Sequence, residues 1–395
     1  MANKNGSIND VWLKASIVGG LWAAIEIILG SFMHNLRIPF AGSTLTFIGI
    51  ALLVSFHRMW PERGLIIRAG IICALMKSVS PSSIILGPMS GIFFEALLLE
   101  TGLFILGTNY AGYFTGAVLG MLSTLVHKIV SLLILYGLDI VTIYKNIYFF
   151  LARQMRIEEM DPWLLVWIVL GVYVLSGALA AWLGISVGNR SRHLKADAAR
   201  VKLDRQHQDF FKTDPNQKFR FSLLLIHAFS LPFGLYLINY SLFLVAFIFY
   251  AIYLGFCIVY YGKSLRRLKK PIFWFQLFMI SLLASVFWNG FSLKEEVFNL
   301  QGLYVGLEMN MRAIFVVISF SSLGVELRNP AIKDLLFRKG FGELYAALGL
   351  AFDALPGMIK SMPRPKDFIR NPLVELAKIN RQAEYLLRSK KFYSK

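Results

Sequence analysis

The hydrophobic positions of this chain fall in long continuous runs separated by short polar stretches. In the first half they cover 15–33, 41–56, 64–86, 88–108, 111–136 and 162–187. In the second half they cover 219–238, 241–261, 272–290 and 303–323. A membrane-crossing helix needs about 20 mostly apolar residues. Barrel strands would alternate over about 10 residues, and lipid admits only helices or closed barrels. The pattern therefore predicts an all-α polytopic membrane protein with about ten transmembrane helices. A further run, 340–359, is interrupted by Glu343 and Asp353. It is expected to lie in the interface or to pack sideways against its neighbours.

Composition supports this reading. The chain is 56% hydrophobic and 16% charged, against about 25% charged in soluble domains. The net charge is +18, but the lysines and arginines gather in loops and tail. That follows the positive-inside rule, so nucleic acid is not an expected partner. The polar stretch 188–220 carries Arg190, Arg192, Lys195, Arg200, Lys202, Arg205 and Lys212. It divides a six-helix module, 1–188, from a second module, 219–395, through a basic linker, 189–218. The N-terminus, linker and basic tail are assigned to the cytoplasm, and 138–160 to an outside loop. Cys73 and Cys257 sit in separate apolar runs and read as core residues. No metal site, nucleotide-binding loop or nucleophile elbow is expected.

The candidate chemistry lies inside the runs of the first module: Glu26, Lys77, Glu95, His127 and Lys128. A charge at the bilayer centre costs about 2.5–3.5 kcal/mol on insertion scales, so it faces a partner, a cavity or a pathway. The topology puts these residues on four helices at similar depth, toward the outside. Two readings follow: a pocket for a small polar solute, or internal pairs of Lys77 with Glu95 and Lys128 with Glu26. Gly87-Pro88-Met89-Ser90-Gly91, just before Glu95, is either a break that exposes backbone or a tight turn. Ala15, Gly19 and Ala23, spaced by four, form a candidate docking face for another helix.

The second half resembles the transmembrane T component of energy-coupling factor (ECF) transporters. The matching residues are Asp214-Pro215 with Lys218, Asn289-Gly290-Phe291, Gly302-Leu303, Gly306 to Arg312, Ser321-Ser322, Asn329-Pro330 before 331–337, and Leu355-Pro356. They follow the family order over about 212–382. The resemblance implies coupling through Arg328 and Arg338, with Arg381 in Asn380-Arg381-Gln382 as the counterpart of the family's Ala-Arg-Gly motif. A second such motif is absent. The first half is then similar to the family's solute-binding S component. What the resemblance implies is a multi-pass subunit of a bacterial inner-membrane importer of a vitamin-like solute. It also implies two separate ABC-type ATPase subunits that hold the ATP and magnesium, with no cofactor on this chain. The residues alone also fit a proton-coupled secondary transporter, a scaffold, or a membrane enzyme using Glu95, Glu100 and His127 on a lipid-linked substrate.

Overall fold

The computed structural model describes residues 9–35, 40–79, 86–154, 161–193, 221–240, 243–262, 265, 268, 271–288, 299–326, 342–360 and 371–393. Every element among them is a helix. The first module holds α1 (Asp10–Asn35), α2 (Ala41–Met59), α3 (Leu65–Val79), α4 (Leu86–Leu106), α5 (Tyr110–Tyr136), α6 (Asp139–Gln154) and α7 (Pro162–His193). Then follow α8 (Phe221–Tyr240), α9 (Phe243–Tyr261), α10 (Pro271–Phe287), α11 (Leu300–Glu326), α12 (Gly342–Lys360) and α13 (Pro372–Tyr393). Among the described residues, eight helices are long and apolar enough to cross a membrane: α1, α2, α4, α5, α7, α8, α9 and α11. The chain is an all-α polytopic membrane protein. Of the ten expected crossings, α3 and α10 fall short, with 15 and 17 residues. At 1.5 Å per residue they reach about 22–26 Å, against a hydrocarbon core of about 30 Å.

One module is built around α1. Its Ile17, Trp22 and Ala23 share a core with Ile50 and Phe56 of α2, Ile72 and Cys73 of α3, and Ala96 and Leu99 of α4. Lipid tails are as apolar as leucine, so close approach rather than expulsion of water holds such helices together. At the crossing of α4 and α5, a side chain on Gly102 would overlap the backbone of Gly116. Outward, α7 presents Trp163, Trp167, Val172, Leu175, Leu179 and Trp182. Their three- to five-residue spacing makes one apolar stripe, as a lipid-facing helix requires.

Three findings alter the expected organisation. Residues 138–160 contain a helix, α6, rather than an open loop. Ile140, Ile143 and Ile147 recur at helical spacing and pack on Ala284, Val305 and Met309 of the second module. The run is too short and too polar to register as a crossing, which is why it read as a loop. Secondly, Gly87-Pro88-Met89-Ser90-Gly91 is the first turn of α4, with Ser90 Oγ donating to Gly87 O at 2.9 Å. Proline is tolerated there because first-turn N–H groups have no partner within the helix. Thirdly, α12 and α13 belong by packing to the first module. Ala347, Ala351 and Phe352 of α12, and Ala383 and Leu387 of α13, are part of the core around α1. Within 342–360 the run packs against α1, and the boundary at 219 divides the chain but not the core. The linker is helical up to His193; its remainder lies outside the described residues.

Basic side chains collect at one end of the first module. Lys14 pairs with Asp10 at 2.8 Å and with Glu62. Arg58 donates to Asn189 Oδ1 at 3.1 Å, and Arg192 donates to Arg58 O. At the opposite end the modules meet. Asn146 Nδ2 of α6 donates to Phe287 O at 2.6 Å and to Trp288 O at 2.8 Å, closing the end of α10. α11 returns from there, with Asn299 N bonded to Ser285 O at 2.9 Å.

Candidate functional site

Three helices of the first module bring Glu26, Lys77 and Glu95 into one buried cluster. Lys77 Nζ of α3 donates to the main-chain oxygen of Glu26 on α1 at 2.8 Å and reaches its Oε2 at 3.4 Å. Lys77 therefore pairs with Glu26 and not, as the internal-pair reading expects, with Glu95. The two charges satisfy each other where lipid and core offer nothing else.

Glu95 of α4 is different. It is 2% exposed, and Thr46 of α2 faces its carboxylate. Its Oε1 has no hydrogen-bond partner among the described residues. Nor has Nε1 of Trp22, which is fully buried on α1, one turn before Glu26. Both atoms look onto Gly49 of α2: a Cβ there would lie 2.7 Å from Trp22 Nε1 and 2.9 Å from Glu95 Oε1. An acceptor and a donor thus converge over Gly49, whose missing side chain lets them approach the helix backbone. Leaving either unpaired costs about 1–3 kcal/mol, more for a charged group.

A second node lies one turn further along α2 and α5. Lys128 Nζ donates to Ser43 Oγ at 2.6 Å and to Tyr173 Oη at 3.0 Å, and the two hydroxyls are 2.7 Å apart. Glu26 is not its partner, and no carboxylate pairs with Lys128 among the described residues. Thr46 Oγ1 and Thr124 Oγ1, 2.9 Å apart, sit between this node and Glu95. A polar track thus runs from a half-buried ammonium to a buried carboxylate, each lacking a counter-charge. His127 is half-buried and makes no hydrogen bond or ion pair with any described residue, so it stands outside the cluster.

Other candidates have structural work. Glu100 accepts from the N–H groups of Gly64 (2.6 Å), Ile66 (2.9 Å) and Ile67 (3.3 Å), capping α3. A carboxylate there meets both the free donors and the positive end of the helix dipole. Glu100→Ala is expected to lower stability by about 1–2 kcal/mol in thermal unfolding, with ligand affinity unchanged. Arg381 of α13 donates to Arg192 O at 3.0 Å and pairs with Glu384. Its neighbour Asn380 donates to Ser55 Oγ at 3.0 Å and Ser191 Oγ at 3.2 Å. Arg381 thus ties the tail to α7 instead of projecting freely. Arg328 and Arg338 lie outside the described residues.

Ala15 and Ala23 are fully buried, and Gly19 is closed against Ala69 and Ile72 of α3. This stripe is buried within the module, with Gly19 set against α3. The docking contact is one position on: a Cβ on Gly20 would lie 3.3 Å from Ala351 Cβ of α12. α1 therefore carries the site on one face and α12 on another.

No family model, curated protein or solved structure matches this chain. Function accordingly rests on the chemistry of the site itself. Sequence reasoning missed Trp22, Gly49, Thr46, Ser43 and Tyr173. The available signal was positional: Trp22 precedes Glu26 by four residues, on the same helix face.

Proposed function

We propose that the chain is the membrane subunit of an ECF-type importer. The first module takes a small dipolar solute, and separate ATPase chains drive its release through α12 and α13. The observation that carries this reading is the pair of buried, unpartnered polar atoms, Glu95 Oε1 and Trp22 Nε1, facing Gly49. A solute with a cationic or donor end at Glu95 and an anionic end toward Lys128 supplies both missing counter-charges. Lys77 and Glu26, already paired, hold α1 and α3 in register beside it. The contact of α12 with α1 supports coupling, because a shift of α12 moves the helix that carries Trp22 and Glu26. The basic end is then cytoplasmic by the positive-inside rule, and the membrane is the bacterial inner membrane.

Native mass spectrometry of the gently purified chain tests this. The wild-type protein is expected to retain a small ligand and two ATPase subunits. Glu95→Gln and Gly49→Ala are expected to weaken the ligand about 10–100-fold, the equivalent of one lost charged contact. Equal ligand retention in both variants sinks the solute site. Full uptake by an ATPase-free chain sinks the ATP-driven half alone.

A further inference from the structure

The second module holds a buried polar chain that does not touch the solute site. Tyr261 Oη donates to Glu326 Oε1 at 2.6 Å. His227 Nε2 lies 2.9 Å from Tyr261 Oη, and His227 Nδ1 lies 2.7 Å from Tyr253 Oη. Three helices contribute: α8, α9 and α11. His227 is 0% exposed, Glu326 1%, Tyr261 4% and Tyr253 6%. The second carboxylate oxygen, Glu326 Oε2, has no partner among the described residues.

With His227 neutral and Glu326 ionised, donor arithmetic fixes the direction of the chain. Tyr261 spends its one proton on the carboxylate, so its oxygen accepts from His227 Nε2–H. Nδ1 then accepts from the Tyr253 hydroxyl. Every donor points toward Glu326. The titratable groups of this cluster are His227 from α8, Tyr253, Cys257, Tyr260 and Tyr261 from α9, and Glu326 itself from α11, and of these Tyr261 touches the carboxylate. No described lysine or arginine pairs with it. A buried carboxylate held by a single hydroxyl carries a desolvation cost of several kcal/mol, and a bound proton removes that cost.

We propose that Glu326 and His227 form a proton-binding site, in which one proton rests on either group and passes between them through Tyr261. In the transfer, His227 starts as an imidazolium whose Nδ1–H donates to Tyr253 Oη, and its Nε2 gives its proton to Tyr261 Oη while Tyr261 gives its own to Glu326 Oε1. One N–H and one O–H bond break and two O–H bonds form. The imidazolium becomes neutral imidazole, and the carboxylate becomes a carboxylic acid. Glu326 is the last residue of α11, on the chain leading toward α12. The proposal is independent of the solute reading.

Infrared difference spectroscopy of the full chain in lipid nanodiscs, titrated from about pH 8 to about pH 5, tests it. A protonated-carboxyl stretch is expected to grow on acidification in the wild type and to be missing from that titration in Glu326→Gln. Tyr261→Phe removes one hydroxyl and keeps the ring. It is expected to shift the midpoint by about one pH unit, tenfold in proton affinity. Identical titrations in wild type and Glu326→Gln overturn the proposal. So does a wild-type midpoint retained in Tyr261→Phe, which also decides the matter if Glu326→Gln fails to fold.

Discussion

Lys77→Met is expected to destabilise the folded chain by about 3–5 kcal/mol, the cost of leaving a buried charge without its partner. Lys77 Nζ holds both the main-chain oxygen and the carboxylate of Glu26, whose side chain is buried on α1. Methionine keeps the volume of the aliphatic stem and removes only the ammonium. Glu26 is then left in a cluster with a second carboxylate, Glu95, and repulsion adds to desolvation. The double variant Glu26→Gln with Lys77→Met is expected to recover most of the loss, because a neutral amide needs no counter-charge. Chemical or thermal unfolding in nanodiscs measures both. An equal loss in single and double variants would mean that the pair contributes little and that the stem of Lys77 carries the effect.

The same cluster shows what the sequence reveals and what it hides. Glu26, Lys77 and Glu95 were legible because any ionisable residue stands out in an apolar run, and their shared depth followed from alternating helix direction. Their pairing was not legible. Which carboxylate meets Lys77 depends on how α1, α3 and α4 turn about their axes, and that rotation is set by contacts such as Gly19 on Ala69 and Ile72. Lys128 found the hydroxyls of Ser43 and Tyr173, residues that carry no charge to mark them. Trp22 and Gly49 gave less signal still. An indole N–H draws attention only once nothing is seen to accept it, and glycine is common in membrane helices.

Fold-level reading behaved in a similar way. Runs of about 20 apolar residues placed nearly every long helix correctly, since crossing length alone specifies them. α6 was lost because an amphipathic helix of 16 residues satisfies only one face with apolar contacts. α13 was lost because its mean composition is polar, although Ala377, Asn380, Ala383 and Leu387 make a buried face at helical spacing. The second-module chain was missed for a related reason. His227 and Glu326 each sit singly on separate helices, and only packing brings them to Tyr261.

Gly137→Val is expected to cost about 3–5 kcal/mol and to loosen the joint between the modules. Gly137 ends α5 at φ 74°, ψ −171°, with its N–H bonded to Leu133 O at 2.8 Å. That backbone region is essentially closed to residues with a Cβ, at a cost of about 1–3 kcal/mol. A side chain there would also overlap Arg312 Nη1 of α11. Arg312 is 4% exposed, donates to Asn239 Oδ1 at 2.6 Å, and approaches Glu308 Oε1 at 3.5 Å. Displacing it breaks the tie to α8 and forces a guanidinium to find new partners in an apolar setting. The two contributions separate in a cycle with Arg312→Met. If the clash dominates, Gly137→Val costs markedly less in the Arg312→Met background. If backbone strain dominates, the cost is the same in both. Unfolding measurements on the four proteins give the coupling energy. A Gly137→Val protein as stable as wild type would mean that α5 can end in another conformation and that Arg312 does not lock the joint.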